Sequence, residues 1–176
     1  YTGGIAVPPE RFALTAREGR RLGFHVHLDG ARIFNAAVRH GVDVRKYADE
    51  VDSVQFCLSK GLGAPLGSML CGSRELIEGG KKWRKRLGGA QRQVGIAAAA
   101  GLYALKNNVA RLAEDHANAA LLVERGRWYY RRQEWGKALN DFNRALGIDP
   151  ARDEARQYAE QIEEILAFRY KDIYNP

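Results

Sequence analysis

A single lysine stands inside a short glycine-rich segment, residues 58–65 with the sequence LSKGLGAP, directly after an apolar stretch. The apolar stretch has the length of a buried strand. The glycines and the proline of the segment that follows it indicate a loop. An earlier apolar stretch ends at Asp29-Gly30, and a helical pattern comes after it. Because strands that alternate with helices are typical of α/β folds, we predict an α/β unit with Asp29 at a strand end and Lys60 in a loop.

The apolar periodicity and the turn-forming residues predict the order of the elements over the first 132 residues. Helices are expected over Pro8–Leu22, Ala31–His40, Val44–Glu50, Ser73–Leu87, Gln91–Lys106 and Asn108–Arg132, and strands over Phe24–Leu28, Ser53–Leu58 and Ser68–Cys71. Proline suits the first turn of a helix, and serine is a favourable N-cap. The lysine-bearing loop therefore separates the last two predicted strands.

The composition of the chain changes near residue 120. Residues 1–119 carry 18 basic and 11 acidic side chains, whereas residues 120–176 carry ten of each, so the net charge of +7 lies in the first part. Two compositions indicate two units, which we place at residues 1–118 and 119–176. Since no glycine, proline or serine linker separates them, we expect one long helix to be shared by both.

The two cysteines and the hydropathy bear on the cellular compartment. Cys57 and Cys71 lie in apolar strand-like stretches, and their spacing matches neither a C-x-x-C motif nor a metal site. We interpret them as buried free thiols in a reducing compartment, which favours the cytoplasm. No apolar stretch approaches the roughly 18–20 residues that a membrane span needs, so we expect no membrane partner and no metal.

Each residue of the lysine-bearing region has an ordinary interpretation when it is considered alone. Asp29 could be the N-cap of the helix that follows it, Lys60 could be a surface lysine, and Arg32 could pair with Asp29. Together they match a more specific chemistry, because pyridoxal phosphate needs a lysine that forms a Schiff base and a carboxylate that keeps the pyridine nitrogen protonated. Glycines next to the lysine let the backbone bend closely around a cofactor, and Ser59 could donate a hydrogen bond to a phosphate.

The residues around these positions resemble a known family over about 120 residues. The matching stretches are HLDGARIFNA from His27, CLSKGLGAPLGS from Cys57, WRKRLGGAQRQ from Trp83 and AAGLYALKNNVARLAEDH from Ala99. Their order and spacing are similar to those of the low-specificity threonine aldolases, which are pyridoxal-phosphate enzymes of the aspartate-aminotransferase-like fold. The resemblance implies part of a three-layer large domain with a mostly parallel sheet.

The resemblance also implies a role for each of four residues. Lys60 would hold the cofactor, Asp29 would pair with its pyridine nitrogen, Arg32 would contact the ring hydroxyl, and Arg92 would bind the phosphate at a subunit boundary. Ser59 remains a second candidate for the phosphate. The reaction implied is retro-aldol cleavage of a threonine-like β-hydroxy-α-amino acid to glycine and an aldehyde, in a homo-oligomer.

Parts of the family pattern have no counterpart in this sequence. They are the N-terminal phosphate loop, the two histidines near the ring and the substrate hydroxyl, and the small domain with its substrate-binding arginine. Tyr1-Thr2-Gly3-Gly4 resembles the end of the segment that holds one of those histidines. None of the histidines here replaces them by position, and we expect His27 to face the sheet interior. We therefore expect an incomplete fragment with little or no aldolase activity.

A basic segment, Lys81-Lys82-Trp83-Arg84-Lys85-Arg86, raises the alternative of nucleic-acid binding. Its positions match the family stretch, and Trp83 is the one aromatic residue among them. We therefore interpret it as a solvated or subunit-facing helix, and we expect no nucleic-acid partner.

The last part of the chain follows a 34-residue tetratricopeptide pattern. Counted from Ala119, small, aromatic and proline residues occupy the expected positions: Gly126, Tyr129, Ala138, Phe142, Ala145 and Pro150. An amphipathic helix over Asp153–Ile173 would cap this single repeat. Such a module could bind a partner protein, so the alternatives to a lyase are an interaction module or a chimeric fusion without a selected joint function.

Overall fold

The computed structural model describes residues 6–150 and 152–174, with side chains described as far as Phe168. Tyr1-Thr2-Gly3-Gly4, which resembles the end of a family segment, lies outside these residues. The chain divides into two compact units, and the division falls between Leu112 and Ala113. Below, the first unit is Val7–Leu112 and the second unit comprises the described residues from Ala113 onward.

The first unit alternates helices with strands, as the sequence predicts. Its elements are α1 (Pro9–Arg21), β1 (His27–Asp29), α2 (Ile33–His40), α3 (Arg45–Ala48), β2 (Ser53–Cys57), β3 (Ser68–Gly72), α4 (Arg74–Arg86) and α5 (Gly95–Asn107). The second unit is helical, with α6 (Leu112–Arg131), α7 (Trp135–Ile148) and α8 (Asp153–Tyr174). Ser73 caps α4 as predicted, since its hydroxyl accepts the backbone N–H of Leu76 at 3.2 Å.

The three strands form one sheet in the order β1-β2-β3. The first two strands are parallel, with Asp29 opposite Gln55, whereas the last two are antiparallel, with Cys57 opposite Ser68. The described sheet is thus mixed, and the expectation of a mostly parallel sheet is not met within it. The physical reason is the length of the connection, because residues 58–67 are too few for the crossover of a dozen or more residues that a parallel strand needs.

The strand β1 begins three residues later than the sequence pattern predicts. Phe24 is exposed, and its backbone N–H bonds to the carbonyl of Gly19, so it closes the end of α1 instead of pairing in the sheet. Val26 then binds the Asp52 carboxylate through its N–H and accepts the Asp52 N–H. His27 is exposed, contrary to the expectation that it faces the sheet interior.

The two units bury apolar residues in different ways. The first unit has two clusters of buried residues, one around Ile33, Tyr47 and Val54 and the other around Leu58, Leu62, Ala104 and Leu112. The half-buried Phe34 and Phe56 pack against both. The second unit has one continuous cluster between its three helices, made of Val123, Ala138, Phe142, Ala145, Ala155, Ala159 and Ile162. The buried residues of the first unit thus form two clusters that two half-buried aromatic rings connect.

The strand β3 and the helix α4 remain at the surface. All five residues of β3 are exposed, and α4 contributes no buried residue. Cys71 on β3 is consequently exposed and Cys57 on β2 is half-buried, so the expectation of two buried thiols is wrong. None of the helices in the described part of the chain combines the length with the apolar composition that a bilayer span requires.

Candidate functional site

The parallel pair β1 and β2 brings two of the predicted site segments to one edge of the sheet. Asp29 is the last residue of β1, and Lys60 follows the last residue of β2, Cys57, by three positions. The carboxyl ends of parallel strands lie at the same edge, where ligands of open α/β sheets bind. Both side chains belong to exposed residues, so this edge presents a carboxylate and an amine to solvent.

Asp29 is held by the neighbouring strand. The side-chain amide of Gln55 donates a hydrogen bond to Asp29 Oδ1, and the backbone N–H of Gly30 donates to the Gln55 carbonyl at 2.8 Å. The helix α2 begins at Ile33 with no side-chain cap, so Asp29 is not its N-cap. Within the described residues Asp29 pairs with Gln55 and not with Arg32, and neither of its ordinary interpretations applies.

Arg32 lies beside the end of β2. The carbonyl of Ala31 accepts the backbone N–H of Cys57 at 3.2 Å, which extends the pairing of the two strands past Asp29. Arg32 follows as the N-terminal boundary residue of α2 and is half-buried. The backbone therefore places Arg32 at the sheet edge from which the lysine loop starts.

The loop that carries Lys60 is a closed turn. The N–H of Leu58 binds the carbonyl of Gly67, and the N–H of Gly63 binds the carbonyl of Lys60, both at 2.9 Å. Gly63 has a φ of 73°, a conformation that side-chain-bearing residues rarely adopt. Leu62 is buried, and its carbonyl accepts the side-chain amide of Asn108 at 2.7 Å. The exposed lysine is thus presented by a loop that is fixed on both sides.

A close approach also joins the lysine loop to α2. A Cβ at Gly61 would lie 2.8 Å from Asn35 Nδ2 and closer still to Asn35 Oδ1, so a side chain at this position would displace Asn35. We expected Gly61 to allow close approach of a cofactor, whereas here a side chain of this chain occupies that space. Asn35 lies within a stretch that matches the family, and that was the only sequence signal for it.

Ser59 and Arg92 are less constrained. Ser59 precedes Lys60 in the loop and is exposed. Arg92 is exposed in the segment between α4 and α5, and no hydrogen bond or ion pair in the described part of the chain brings it to the sheet edge. The structure therefore brings Asp29, Arg32, Ser59 and Lys60 to one edge and leaves Arg92 outside that group.

Two carboxylates with lowered pKa values, Glu50 and Asp52, lie at the opposite edge of the sheet, before the start of β2. Arg17 binds Glu50 through two hydrogen bonds of 2.9 and 2.6 Å, which lower the pKa of Glu50. The N–H of Val26, at 2.7 Å from Asp52 Oδ2, lowers the pKa of Asp52, and Arg20 adds to that effect. These groups tie α1 to the start of β2, so they act on the fold and not on the candidate site.

The comparison with protein families gives one decisive match. A family model described as beta-eliminating lyase covers residues 1–129 of this chain. The chain belongs to the beta-eliminating lyase family. The match ends within α6, eleven residues beyond the boundary that we predicted at residue 118.

Relatives of this family member are named threonine aldolases. The chain is 55% identical over 121 residues to the low specificity L-threonine aldolase of Escherichia coli K12. This match covers 69% of this chain and 36% of the E. coli protein. It is 47% identical over 123 residues to low-specificity L-threonine aldolase 1 of Arabidopsis thaliana, with 70% and 34% covered. The chain thus spans about a third of the length of these curated relatives.

A solved structure has the same fold over the matched part. A protein of Listeria monocytogenes described as an L-allo-threonine aldolase superposes with a TM-score of 0.63 and 25% identity. The match covers 68% of this chain and 33% of that one. The beta-eliminating lyases and threonine aldolases to which this chain is related imply pyridoxal phosphate as the cofactor.

The residues at the sheet edge fit one end of that cofactor. An amine that adds to the aldehyde and an anchored carboxylate for the ring nitrogen are the two groups that the ring end requires, and Lys60 and Asp29 supply them. Arg32 and Ser59 add a guanidinium and a hydroxyl nearby. The donor set therefore suits the ring end of pyridoxal phosphate.

Proposed function

We propose that this chain carries the lysine-bearing part of a pyridoxal-phosphate lyase site of the threonine-aldolase type. The reaction would cleave β-hydroxy-α-amino acids to glycine and an aldehyde. The observation that carries the proposal is the placement of Asp29 and the Lys60 loop at one edge of the sheet by the parallel strands β1 and β2. The names and the identities of the relatives support it.

Each of the five residues has a role in this proposal. Lys60 would hold the cofactor covalently through Nζ, and Asp29 would accept the ring N–H with the carboxylate that Gln55 anchors. Arg32 would contact the ring hydroxyl, Ser59 would bind the phosphate, and Arg92 would bind the phosphate at a subunit boundary. When bound, pyridoxal phosphate supplies a ring that withdraws electrons from the α-carbon of an amino acid. None of the five residues is assigned to the proton of the β-hydroxyl.

Loading of Lys60 is the direct test of the site. The 176-residue chain is incubated with pyridoxal phosphate, reduced with borohydride to fix the cofactor, and mapped by peptide mass spectrometry. We expect the label at Lys60 and a visible absorbance band that Lys60→Ala abolishes. Lys106→Ala removes an exposed lysine of α5 and serves as the matched control, which should leave both signals unchanged. Equal labelling of surface lysines, with none preferred, would refute the site.

Activity is tested separately from loading. We propose that the isolated chain holds the cofactor without measurable aldol cleavage, because no residue here is assigned to the hydroxyl proton or to the substrate carboxylate. Glycine release from threonine is the measurement. Release that Lys60→Ala abolishes would show that the chain alone is an active lyase.

The second unit supports a second candidate function, binding of a partner protein. We propose that residues 119–176 form a single tetratricopeptide-like repeat with α8 as its capping helix. Supporting observations are the fully buried Ala138 and the close approach of Gly126 to the ring of Phe142, where a Cβ would lie 2.7 Å from Cε1. Small residues at these positions let two helices pack closely.

An open groove on this unit would hold the partner. Its lining combines aliphatic side chains with two arginines: Asn118, Leu121, Leu122, Arg125, Arg144 and Ile148. Arg125 is already paired with the buried Asp141, whereas Arg144 is exposed. A peptide that carries a carboxylate beside aliphatic residues would fit, and its binding to the full chain should fall with Arg144→Glu. If neither peptide binding nor loading of Lys60 were detected, the result would favour a chimeric fusion without a selected joint function.

A homo-oligomer and a cytoplasmic location complete the proposal. The exposed Trp83 on α4 and the exposed Leu87 directly after this helix support a subunit contact, since large apolar side chains are commonly covered in assemblies. The free thiols of Cys57 and Cys71 are consistent with a reducing compartment. Analytical ultracentrifugation of the chain tests the first point, and a monomer at all concentrations would contradict it.

A further inference from the structure

We propose that Gln55 is a positioning residue for the cofactor, which acts by fixing the carboxylate of Asp29. The inference rests on the proposed function, because it assigns Asp29 to the ring nitrogen. Gln55 itself touches neither the cofactor nor a substrate in this scheme. Its role is to hold the orientation of the Asp29 carboxylate at the sheet edge.

The parallel register brings Gln55 and Asp29 together. They are partners across β1 and β2, and their side chains meet in a hydrogen bond from the Gln55 amide to Asp29 Oδ1. Gln55 is a polar residue between apolar neighbours, in a strand of which the first two residues are buried. Gln55 is half-buried, and Asp29 on the neighbouring strand is the partner of its side-chain amide.

The backbone of Gln55 also holds the turn that follows Asp29. Its carbonyl accepts the N–H of Gly30 at 2.8 Å. A Cβ at Gly30 would lie 3.1 Å from this carbonyl and 3.1 Å from the Cβ of Ile33, so the turn packs tightly on β2. Gln55 therefore restrains both the backbone after Asp29 and the carboxylate itself.

The bond to Oδ1 leaves Oδ2 for a ligand. An ionised carboxylate can accept about four hydrogen bonds, so the Gln55 amide uses only part of that capacity. An exposed aspartate without this bond would sample several rotamers, and a ligand would have to restrict them on binding. Fixing the carboxylate in advance should therefore strengthen cofactor binding without a new contact to the cofactor.

A double-mutant cycle in the full chain tests this role. Gln55→Met keeps the length of the side chain and removes the donor, and Asp29→Ala removes the acceptor. We expect Gln55→Met to weaken the binding of pyridoxal phosphate about fivefold, as the loss of one hydrogen bond predicts. In the Asp29→Ala background the same substitution should have no further effect, because the two act as one unit.

Three measurements separate positioning from a structural role. They are the dissociation constant from absorbance titration, the yield of borohydride fixation at Lys60, and the melting temperature from circular dichroism. Gln157→Met, on the exposed surface of α8, is the matched control and should change none of them. If Gln55→Met lowers the melting temperature by several degrees, Gln55→Asn replaces it, since this variant stays polar but is too short to reach Asp29.

The outcomes distinguish this inference from the proposed function. Unchanged cofactor binding in Gln55→Met would overturn the role of Gln55 and leave the site intact. Equal losses in the wild-type and Asp29→Ala backgrounds would also overturn it, because Gln55 would then act independently of Asp29. Failure of the wild-type chain to load Lys60 would overturn the proposed function and this inference together.

Discussion

The two units of this chain use buried residues for different purposes. In the second unit Phe142, Ala145, Ala155 and Ile162 are fully inaccessible to solvent, and three helices surround them. In the first unit β3 is exposed along its whole length, α4 buries no residue, and the buried residues form two clusters that half-buried aromatic rings connect. The second unit is organised around its own core, whereas the first is organised around a sheet edge that presents polar groups.

In both units a glycine allows another side chain to pack closely against the backbone. In the second unit the absence of a side chain at Gly126 lets the ring of Phe142 pack against α6, which closes the core. In the first unit the absence of a side chain at Gly61 lets Asn35 pack against the lysine loop, which fixes an exposed segment. Close packing thus stabilises the second unit directly, while in the first it determines where an amine is presented.

The largest expected effect is the removal of a core side chain from the second unit. Phe142→Ala should lower the free energy of unfolding of this unit by about 3–5 kcal/mol, because it removes a fully buried aromatic ring and leaves a cavity. Phe168→Ala removes an exposed ring of α8 and is the matched control, with an expected change below about 0.5 kcal/mol. Urea unfolding followed by hydrogen exchange resolves the two units.

This result would also show whether the units unfold separately. If the first unit keeps its exchange protection while Phe142→Ala opens the second, the two cores are independent. Simultaneous loss of protection in both units would refute the contrast between them.

The sequence could predict the local features of the first unit. The apolar stretches before Asp29 and Lys60 and the glycines around the lysine indicate strand ends and a loop without any tertiary information. The antiparallel return of β3 was also accessible, since the ten residues that precede it exclude a crossover. The cap at Ser73 followed from its residue type and position alone.

The contacts that hold the candidate site could not be predicted in the same way. The pairing of Gln55 with Asp29 joins residues that are 26 positions apart, and its register depends on the whole sheet. The start of β1 was predicted too early because Phe24 has a strand-forming side chain, although its backbone completes the last turn of α1. Local propensity does not report such competition between neighbouring elements.

A smaller effect is expected from filling the space at Gly61. Gly61→Ala forces the end of the Asn35 side chain to move, which should cost about 1 kcal/mol, the lower end of the cost of overpacking. The displaced loop should also lower the yield of borohydride fixation at Lys60. Gly79→Ala is the matched control: no atom lies within 4 Å of its Cβ position in α4, so the substitution should stabilise that helix slightly.

Fixation and stability must change together in this variant. If Gly61→Ala destabilises the first unit but leaves fixation at Lys60 unchanged, the contact with Asn35 is structural only. Gly61 would then serve the fold alone, as Gly126 does.

The smallest expected effect is on the stability of the first unit at acidic pH. The pKa of Asp52 is lowered in the folded chain by the N–H of Val26 and by Arg20, so the unfolded chain binds the proton more readily. The stabilisation is therefore complete above the ordinary aspartate value of 3.8 and is lost as the pH falls through the lower, folded value. Asp52→Asn removes this titration and should flatten the decline of the first unit's stability below about pH 4.

The second unit provides the matched control for the acid experiment. Lys137 and then Arg132 lower the pKa of Glu134 in the turn before α7, through hydrogen bonds of 2.6 and 2.9 Å. Glu134→Gln should flatten only the acid response of the second unit, measured by hydrogen exchange between pH 3 and pH 7. If either variant altered the acid response of both units equally, the two units would unfold cooperatively, and the contrast between them would be refuted.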